Sequence, residues 1–182
     1  MITEQFQIQV EGSLPYARLH TILWEESPEI GIGKRPFILL CPGGGYGMTS
    51  DREADPLAMQ FAAMGYHVGI LRYSVAPAEY PTALLEAYSA LKLIREHSEE
   101  WKVDTGHIFI QGCSAGGHLA ASVGVFWKQK WIADKLGCGS EMLKTAGMIL
   151  CYPVITSGEY AHRGSFEALL KNQYTEEMLA LN

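Results

Sequence analysis

A pentapeptide of the form Gly-x-Ser-x-Gly lies near the middle of the sequence, in Gly112-Cys113-Ser114-Ala115-Gly116. A short apolar run precedes it, and a segment with helical spacing follows it. A nucleophile elbow requires that context, because its serine occupies a strained turn between a strand and a helix and the glycines leave room for neighbouring backbone. We therefore expect Ser114 to expose a nucleophilic hydroxyl; the alternative is a tight turn without chemistry.

A second motif, three consecutive glycines, follows an earlier apolar run in Cys41-Pro42-Gly43-Gly44-Gly45-Tyr46-Gly47. The backbone N–H groups of such a loop can approach a ligand oxygen closely, because no side chain obstructs them. The helix start behind the serine offers further free N–H groups and a partial positive charge. Together the two motifs predict a site that stabilises an oxyanion. Tyr46, which extends the loop, is expected either to line the acyl pocket or to pack over the loop.

Two strand patterns surround these motifs. Short apolar runs are typical of strands buried on both faces of a parallel sheet, and they occur at residues 37–40, 67–71, 107–110 and 148–150. Alternating patterns are typical of half-exposed antiparallel strands at a sheet edge, and they occur at residues 6–10 and 17–24. Both glycine motifs follow strands, so we expect them at the carboxyl ends of the sheet, where ligands bind in open α/β folds.

Helical spacing separates the buried strands. One helix is predicted to begin at Asp55-Pro56. Three of its apolar side chains are expected on the sheet: Leu57, Phe61 and Met64. A second helix is predicted over residues 81–101 with its charged side chains, Glu86 among them, in water. A third is predicted from Ala115, and residues 175–182 read as an N-cap and two turns of another. Strands and helices in this order predict an α/β sheet with helices on both faces.

The composition limits the classes of partner. The 182 residues include 14 Lys and Arg against 20 Asp and Glu, a net charge of −6, with 48% hydrophobic residues. This balance predicts a soluble globular chain, and an acidic chain without a basic cluster argues against nucleic acid and anionic membranes as partners. Without a long apolar run or signal-peptide layout, we expect a cytoplasmic location. The four cysteines lack zinc spacing and are expected as free thiols. A serine nucleophile with an oxyanion-stabilising backbone would need neither metal nor cofactor.

In their order and spacing these motifs resemble the α/β-hydrolase superfamily. The resemblance is to small carboxylesterases and carbohydrate deacetylases related to the hormone-sensitive-lipase group and to acetyl-xylan or feruloyl esterase-like proteins. Four segments carry it and cover most of the chain, at residues 42–46, 72–77, 80–84 and 112–120. It implies an α/β-hydrolase sheet, mostly parallel with antiparallel N-terminal edge strands. It also implies that Ser114 is the nucleophile and that the amides of Ala115 and of Gly44 or Gly45 form the oxyanion hole, although Pro42 stands where many relatives carry histidine.

The catalytic triad departs from that superfamily, in which an acid and then a histidine follow the serine. After Ser114 the sequence offers only two histidines, His118 and His162. His118 is interpreted as a packing residue, and His162 as a structural residue or part of the substrate rim. The acid and the base are therefore expected beyond residue 182, and the chain itself is expected to be weakly active or inactive. Residues 1–182 are interpreted as the N-terminal two-thirds of a single domain that lacks the last strands.

Several further residues are interpreted from their positions in the sequence. Cys113 is expected to be a buried, unreactive thiol. Residues 51–53 are predicted either to contact a polar substrate or to form a charged surface turn. Arg72 and Tyr73 are expected to hold neighbouring loops through buried polar contacts, with direct substrate contact as the second interpretation. The tryptophans are interpreted as packing residues: Trp24, Trp101, Trp127 and Trp131.

The favoured function is a serine hydrolase that cleaves short acyl or acetyl esters of small molecules, including carbohydrates, through an acyl-enzyme. Two alternatives stay open. In one, the chain is a catalytically incomplete fragment that serves as a binding or assembly module. It could form a homodimer, because a sheet that ends early exposes an unpaired edge. In the other, it is a peptidase of the prolyl-oligopeptidase kind, which shares the elbow but which this sequence, without propeller-like repeats, favours less.

Overall fold

A single sheet of six strands organises the part of the chain that the structure, a computed structural model, describes: residues 1–31, 33–171 and 174–181. The strands are β1 (Ile2–Gln7), β2 (Arg18–Leu23), β3 (Arg35–Cys41), β4 (His67–Arg72), β5 (Val103–Cys113) and β6 (Gly147–Cys151). Their order across the sheet is β1-β2-β4-β3-β5-β6. β2 runs antiparallel to both of its neighbours, and the other pairs are parallel. The predicted mostly parallel sheet with antiparallel N-terminal strands is therefore confirmed.

Position in the sheet decides how far each strand is buried. The central strands β3 and β4 are buried on both faces, as predicted. β2 was expected to be half exposed at an edge, but it lies between β1 and β4, and four of its six residues are buried. β6 was expected to be buried on both faces, yet it is an edge strand, and Met148, Ile149 and Leu150 are 42%, 39% and 36% exposed. β1 is an edge strand, as predicted, but it covers Ile2–Gln7 instead of residues 6–10, and five of its six residues are exposed instead of every second one.

Helices cover both faces of the sheet. They are α1 (Asp55–Ala63), α2 (Thr82–Glu96), α3 (Ala115–Phe126), α4 (Lys130–Leu136), α5 (Arg163–Leu170) and α6 (Glu176–Leu181). α1 packs in one apolar cluster with side chains of β2, β3 and β4. The remaining helices contribute to a larger cluster on the opposite face. Thr175 Oγ1 accepts a hydrogen bond from the Met178 N–H (3.2 Å), as predicted for the start of the last helix; Asn182, its predicted end, lies outside the described residues.

α1 differs from its prediction at its start and in the residues that it buries. The helix begins with Asp55 itself, one residue earlier than an Asp55 N-cap would give. Its buried residues are two alanines, Ala58 and Ala62, whereas Met64 is the C-cap residue and is 63% exposed. Small side chains let this helix approach the sheet closely, so the larger apolar residues lie at the margin of the contact instead of its centre.

α2 ends at Glu96, earlier than the predicted residue 101. The chain turns after His97, so that the Trp101 ring stacks on the His97 ring at 4.7 Å and is buried in the core. Glu86 was expected in water but is fully buried. Its carboxylate accepts hydrogen bonds from the hydroxyls of Ser13 (2.7 Å) and Ser74 (2.5 Å) and from the Ser74 N–H (2.6 Å). Hydrogen-bond donors from two loops thus replace the water that helical spacing predicted.

The register of the central strands places the two glycine motifs side by side. Cys41 at the end of β3 pairs with Gly112 near the end of β5, and Cys113 pairs with Cys151 of β6. β3 and β5 are parallel neighbours, so the triple-glycine loop and the Ser114 turn leave the sheet at the same edge. This is the arrangement that the sequence predicted.

Candidate active site

Ser114 lies at a strained turn between β5 and α3. Its backbone has φ +52° and ψ −119°, a conformation that costs a residue with a side chain about 1–3 kcal/mol. Three hydrogen bonds hold it: the Ser114 N–H donates to the Cys151 carbonyl (2.9 Å), and the Ser114 carbonyl accepts from the N–H groups of His118 and Val154 (both 3.1 Å). The residue is half-buried, and its side chain does not cap the helix. The hydroxyl is therefore not used to build the turn.

The glycines of the pentapeptide are required by close backbone contacts. A Cβ on Gly112 would lie 2.0 Å from the Gly116 carbonyl oxygen, and a Cβ on Gly116 would lie 2.0 Å from the Cys41 carbonyl oxygen. Both distances are far below van der Waals contact, so any side chain would push α3 away from the ends of β3 and β5. The first turn of α3 can pack there only because both positions lack a Cβ.

The triple-glycine loop packs directly against the elbow. A Cβ on Gly43 would lie 3.0 Å from Ser114 Cβ and 2.6 Å from the Cys113 carbonyl oxygen. Gly44 has φ +135°, and a Cβ there would lie 2.2 Å from the Met48 carbonyl oxygen. Close contacts therefore require glycine at both positions, and Gly43 allows the loop backbone to approach Ser114.

Hydrogen bonds fix the direction of the loop amides. The Gly43 carbonyl accepts from the Ser50 N–H (2.8 Å), and the Gly44 carbonyl accepts from the N–H groups of Gly47 (3.1 Å) and Met48 (3.2 Å). In a planar trans peptide the N–H points opposite to the C=O. The Gly44 and Gly45 N–H groups therefore point away from those partners. Within residues 1–31, 33–171 and 174–181, neither these two amides nor that of Ala115 donates a hydrogen bond to another backbone group.

The Tyr46 side chain lies inside the core. It is 3% exposed, and its hydroxyl lies 2.8 Å from His118 Nδ1. The ring also packs edge-on against Tyr73, with centroids 6.0 Å apart, and burial raises the pKa of the Tyr46 hydroxyl well above its usual range. This placement favours packing beneath the loop over lining of an acyl pocket. His118 is likewise buried, with its ring edge against Phe166.

Tyr73 holds the loops at this edge of the sheet through a buried polar contact, as predicted, whereas the ion pair of Arg72 with Asp51 is largely exposed on the Asp51 side. The Tyr73 hydroxyl donates to the Pro42 carbonyl (2.6 Å) at the start of the glycine loop. The Arg72 guanidinium pairs with Asp51 (2.9 Å) and donates to the Thr49 carbonyl (3.5 Å). Tyr73 thus anchors the start of the glycine loop to the end of β4, and Arg72 anchors the segment after the glycines.

Glu53 contacts the glycine loop, which the sequence did not predict. Its Oε2 accepts a hydrogen bond from the Gly43 N–H (2.7 Å), and its Oε1 accepts one from the Tyr152 hydroxyl (2.8 Å). That second bond raises the pKa of the Tyr152 hydroxyl. Glu53 lies ten positions beyond Gly43 in a short 3-10 turn (Asp51–Glu53), and no periodicity relates the two. Residues 51–53 were predicted either to contact a polar substrate or to form a charged surface turn. Glu53 fits neither prediction fully, because its carboxylate binds the protein itself.

The remaining candidates take supporting places. His162 is exposed, and its Nδ1 lies 2.8 Å from the hydroxyl of the buried Ser165. Ser165 Oγ would lie 3.5 Å from a Cβ on Gly45, so the start of α5 approaches the glycine loop. Cys113 is buried and accepts a hydrogen bond from Gln111 Nε2 (3.2 Å), and burial raises its thiol pKa, which fits an unreactive thiol. Among the described residues, no group of three or more His, Cys, Asp or Glu could hold a metal ion.

Comparison with known proteins agrees with this geometry. Residues 38–181 match the family described as alpha/beta hydrolase fold. The chain belongs to the α/β-hydrolase fold family. The resemblance stated from the sequence motifs is thereby confirmed. None of the helices in the described part of this hydrolase-fold chain is both long enough and apolar enough to span a membrane.

Among relatives of this hydrolase-fold chain, endo-1,4-beta-xylanase B of Butyrivibrio fibrisolvens is 32% identical over an alignment of 155 positions that covers 80% of this chain and 24% of the xylanase. Esterase LipQ of Mycobacterium tuberculosis is 30% identical over an alignment of 102 positions that covers 54% of this chain and 24% of LipQ.

Two solved structures share the fold. The acetyl ester-xyloside bifunctional hydrolase from Caldicellulosiruptor lactoaceticus has a TM-score of 0.76 and 31% identity, covering 91% of this chain and 60% of that one. Carboxylesterase Cest-2923 from Lactobacillus plantarum WCFS1 has a TM-score of 0.76 and 26% identity, covering 95% of this chain and 64% of that one. This hydrolase-fold chain thus spans less than two thirds of each of these relatives.

Proposed function

We propose that this chain carries the nucleophile and the oxyanion hole of a serine hydrolase that cleaves carboxylic esters. The packing of the triple-glycine loop on the elbow supports this most directly, because it brings Gly43 against Ser114. The orientation of the Gly44 and Gly45 amides away from their hydrogen-bonded carbonyls adds support. So does the family, since several relatives are named esterases.

In the proposed reaction, Ser114 Oγ attacks the ester carbonyl carbon while a base removes its proton. The carbonyl π electrons move to oxygen, and the oxyanion accepts hydrogen bonds from the Ala115 amide and from Gly44 or Gly45. Collapse of this intermediate breaks the bond to the alcohol oxygen, which leaves with a proton. Water then attacks the acyl-enzyme by the same route, which releases the acid and restores the serine.

The base in this proposal comes from outside the described residues. His118 is buried with Nδ1 beside the Tyr46 hydroxyl, and His162 lies beside Ser165. In hydrolases of this kind the acid and the histidine follow the serine. Loss of the base from such a triad lowers the rate by several orders of magnitude. We therefore expect the 182-residue chain alone to be weakly active.

The proposed substrates are short acyl esters, with acetyl esters of carbohydrates as the favoured class. Two similar proteins carry names that fit this class, the acetyl ester-xyloside bifunctional hydrolase and the xylanase. Both names describe those proteins and supply the chemistry to be tried first on this one. Simple short-chain esters are the second class to test.

Covalent labelling tests the nucleophile. The chain is incubated with p-nitrophenyl acetate and, separately, with a fluorophosphonate, and the modified residue is located by peptide mass spectrometry. We expect slow modification at Ser114 that Ser114→Ala abolishes. Ser122→Ala is the matched control, because Ser122 lies on the same helix with its hydroxyl bonded to the His118 carbonyl (3.0 Å). If the Ser114→Ala variant and the chain without substitutions were labelled to the same extent, Ser114 would be ruled out as the nucleophile.

A further inference from the structure

Three consecutive peptide units of the glycine loop are each held by hydrogen bonds. The unit joining Gly43 to Gly44 is held by Ser50, and the unit joining Gly44 to Gly45 by the N–H groups of Gly47 and Met48. The first unit, which joins Pro42 to Gly43, is held at both ends by side chains. Its carbonyl accepts from the Tyr73 hydroxyl (2.6 Å), and its N–H donates to Glu53 (2.7 Å).

We propose that Glu53 is a positioning residue, whose carboxylate fixes the Pro42–Gly43 peptide and thereby the direction of the oxyanion-hole amides that follow. This inference rests on the proposed function. Glycine has more backbone freedom than any other residue, so a run of three would sample many conformations without outside partners. A charge-assisted bond from carboxylate to amide is about twice as strong as a neutral one. Glu53 thus restricts the loop at its first flexible position.

The position of Glu53 is itself fixed. The turn that carries it begins after Ser50, whose N–H is bonded to the Gly43 carbonyl, and the Glu53 N–H donates to the Ser50 carbonyl (3.3 Å). Arg72 holds the acids on either side of Glu53, with Asp51 at 2.9 Å and Asp55 at 3.5 Å. The carboxylate therefore reaches the loop from a segment that is anchored to the end of β4.

Glu53 also lies close to the nucleophile turn. A Cβ on Gly43 would lie 2.7 Å from Glu53 Oε2 and 3.0 Å from Ser114 Cβ. The same small space therefore contains the carboxylate, the loop backbone and the serine. Any movement of Glu53 changes the room available to Gly43, and with it the separation between the loop amides and the serine hydroxyl.

Amide exchange and labelling kinetics of the 182-residue chain together test this role. Glu53→Leu removes both acceptors, Glu53→Gln keeps one, and Glu29→Leu is the control at an exposed position. In Glu53→Leu we expect hydrogen exchange at the Gly43 amide, followed by NMR, to accelerate at least about tenfold. The limiting rate at which a fluorophosphonate modifies Ser114 is expected to fall about tenfold to a hundredfold. The fluorophosphonate concentration that gives half of the limiting rate is expected to stay the same. Glu53→Gln should lie between the two, and Glu29→Leu should match the unmodified sequence.

Two results would overturn the positioning role. One is unchanged Gly43 exchange in Glu53→Leu; the other is faster exchange without any fall in the limiting labelling rate. If Glu53→Leu also accelerates exchange throughout β3 and β5, its fold is damaged, and the Glu53→Gln comparison then decides. A chain whose Ser114 never reacts contradicts the proposed function instead, and in that case the Gly43 exchange rate alone decides whether Glu53 holds the loop.

Discussion

Gly44 and Gly47 belong to the same loop, but only one of them needs to be glycine. Gly44 has φ +135° and no room for a Cβ, which would lie 2.2 Å from the Met48 carbonyl oxygen. At Gly47 the nearest atom to a Cβ would be the Gly44 carbonyl oxygen at 3.8 Å, an ordinary contact. The sequence shows a glycine at both positions and cannot distinguish these situations.

We predict that Gly44→Ala lowers the free energy of unfolding by about 2 kcal/mol, because of its strained backbone and the clash with Met48. Gly47→Ala should change it by less than about 0.5 kcal/mol. Urea unfolding followed by circular dichroism measures both free energies. Equal losses of stability in the two variants would show that the positive φ and the close Met48 contact do not require glycine at position 44.

Single residues were predictable where a motif dictates the backbone. The elbow conformation of Ser114 follows from Gly-x-Ser-x-Gly between a strand and a helix, and the structure has it. Glu86 was placed wrongly because helical spacing says only which side of a helix is polar. Its partners, Ser13 and Ser74, lie in loops whose positions depend on the whole fold. Glu53 was unpredictable for the same reason.

At the scale of the elements, His67 at the start of β4 makes the stability of the sheet depend on pH. The residue is fully buried, and the Trp24 N–H donates to its Nδ1 (3.1 Å). Burial, with a smaller contribution from the nearby Arg35 charge, lowers the pKa of His67 to about 4. The folded chain therefore keeps this imidazole neutral over a range in which the unfolded chain protonates it.

We predict that this histidine makes the fold less stable in acid. Above pH 6.5 both states hold a neutral His67, so its contribution is constant. Between about pH 6.5 and 4 the unfolded state binds a proton that the folded state excludes, and the free energy of unfolding falls by roughly 3 kcal/mol. His67→Gln should flatten this part of the curve, measured by urea unfolding at each pH. The exposed His107→Gln is the control, and an unchanged slope in His67→Gln would contradict the prediction.

The kinds and order of elements were predictable, but their ends and burial were less so. Apolar runs located all four parallel strands because such runs need cover on both faces. Whether a strand lies inside a sheet or at its edge depends on its neighbours, and so β2 and β6 were both assigned the wrong degree of exposure. The end of α2 was missed because Trp101 turns back to pack on His97, a tertiary contact.

At the scale of the whole molecule, β6 presents an edge and two partly open faces. Met148, Ile149 and Leu150 are each more than a third exposed, next to the exposed Tyr152. A long apolar edge strand is a template for pairing with another chain. The alternative of a homodimer stays a prediction, and β6 is the surface on which it depends.

We predict that the chain self-associates at micromolar concentration through β6. Sedimentation velocity over a concentration series should show dimers, and Ile149→Lys should shift the distribution towards monomer. Ile2→Lys is the control, since Ile2 is 44% exposed on β1, at the opposite edge of the sheet. A monodisperse monomer for the unmodified sequence would contradict the prediction.

The family could be inferred from sequence because several weak motifs occur in one order, and that order is tied to the order of strands. Each motif alone is uninformative, but the glycine loop, the elbow and the segment at residues 72–84 are placed at one edge of the sheet by the same topology. Substrate preference could not be inferred, because it depends on surfaces that no local pattern encodes.

The pairing of Cys41 with Gly112 also bears on how the protein is made. A ribosome finishes the glycine loop well before it synthesises β5, on which that loop packs. Until then the nascent chain holds the loop without its serine. The two parts can meet only after β5 has been synthesised, and a chain released before Ser114 carries the glycine loop without the proposed nucleophile.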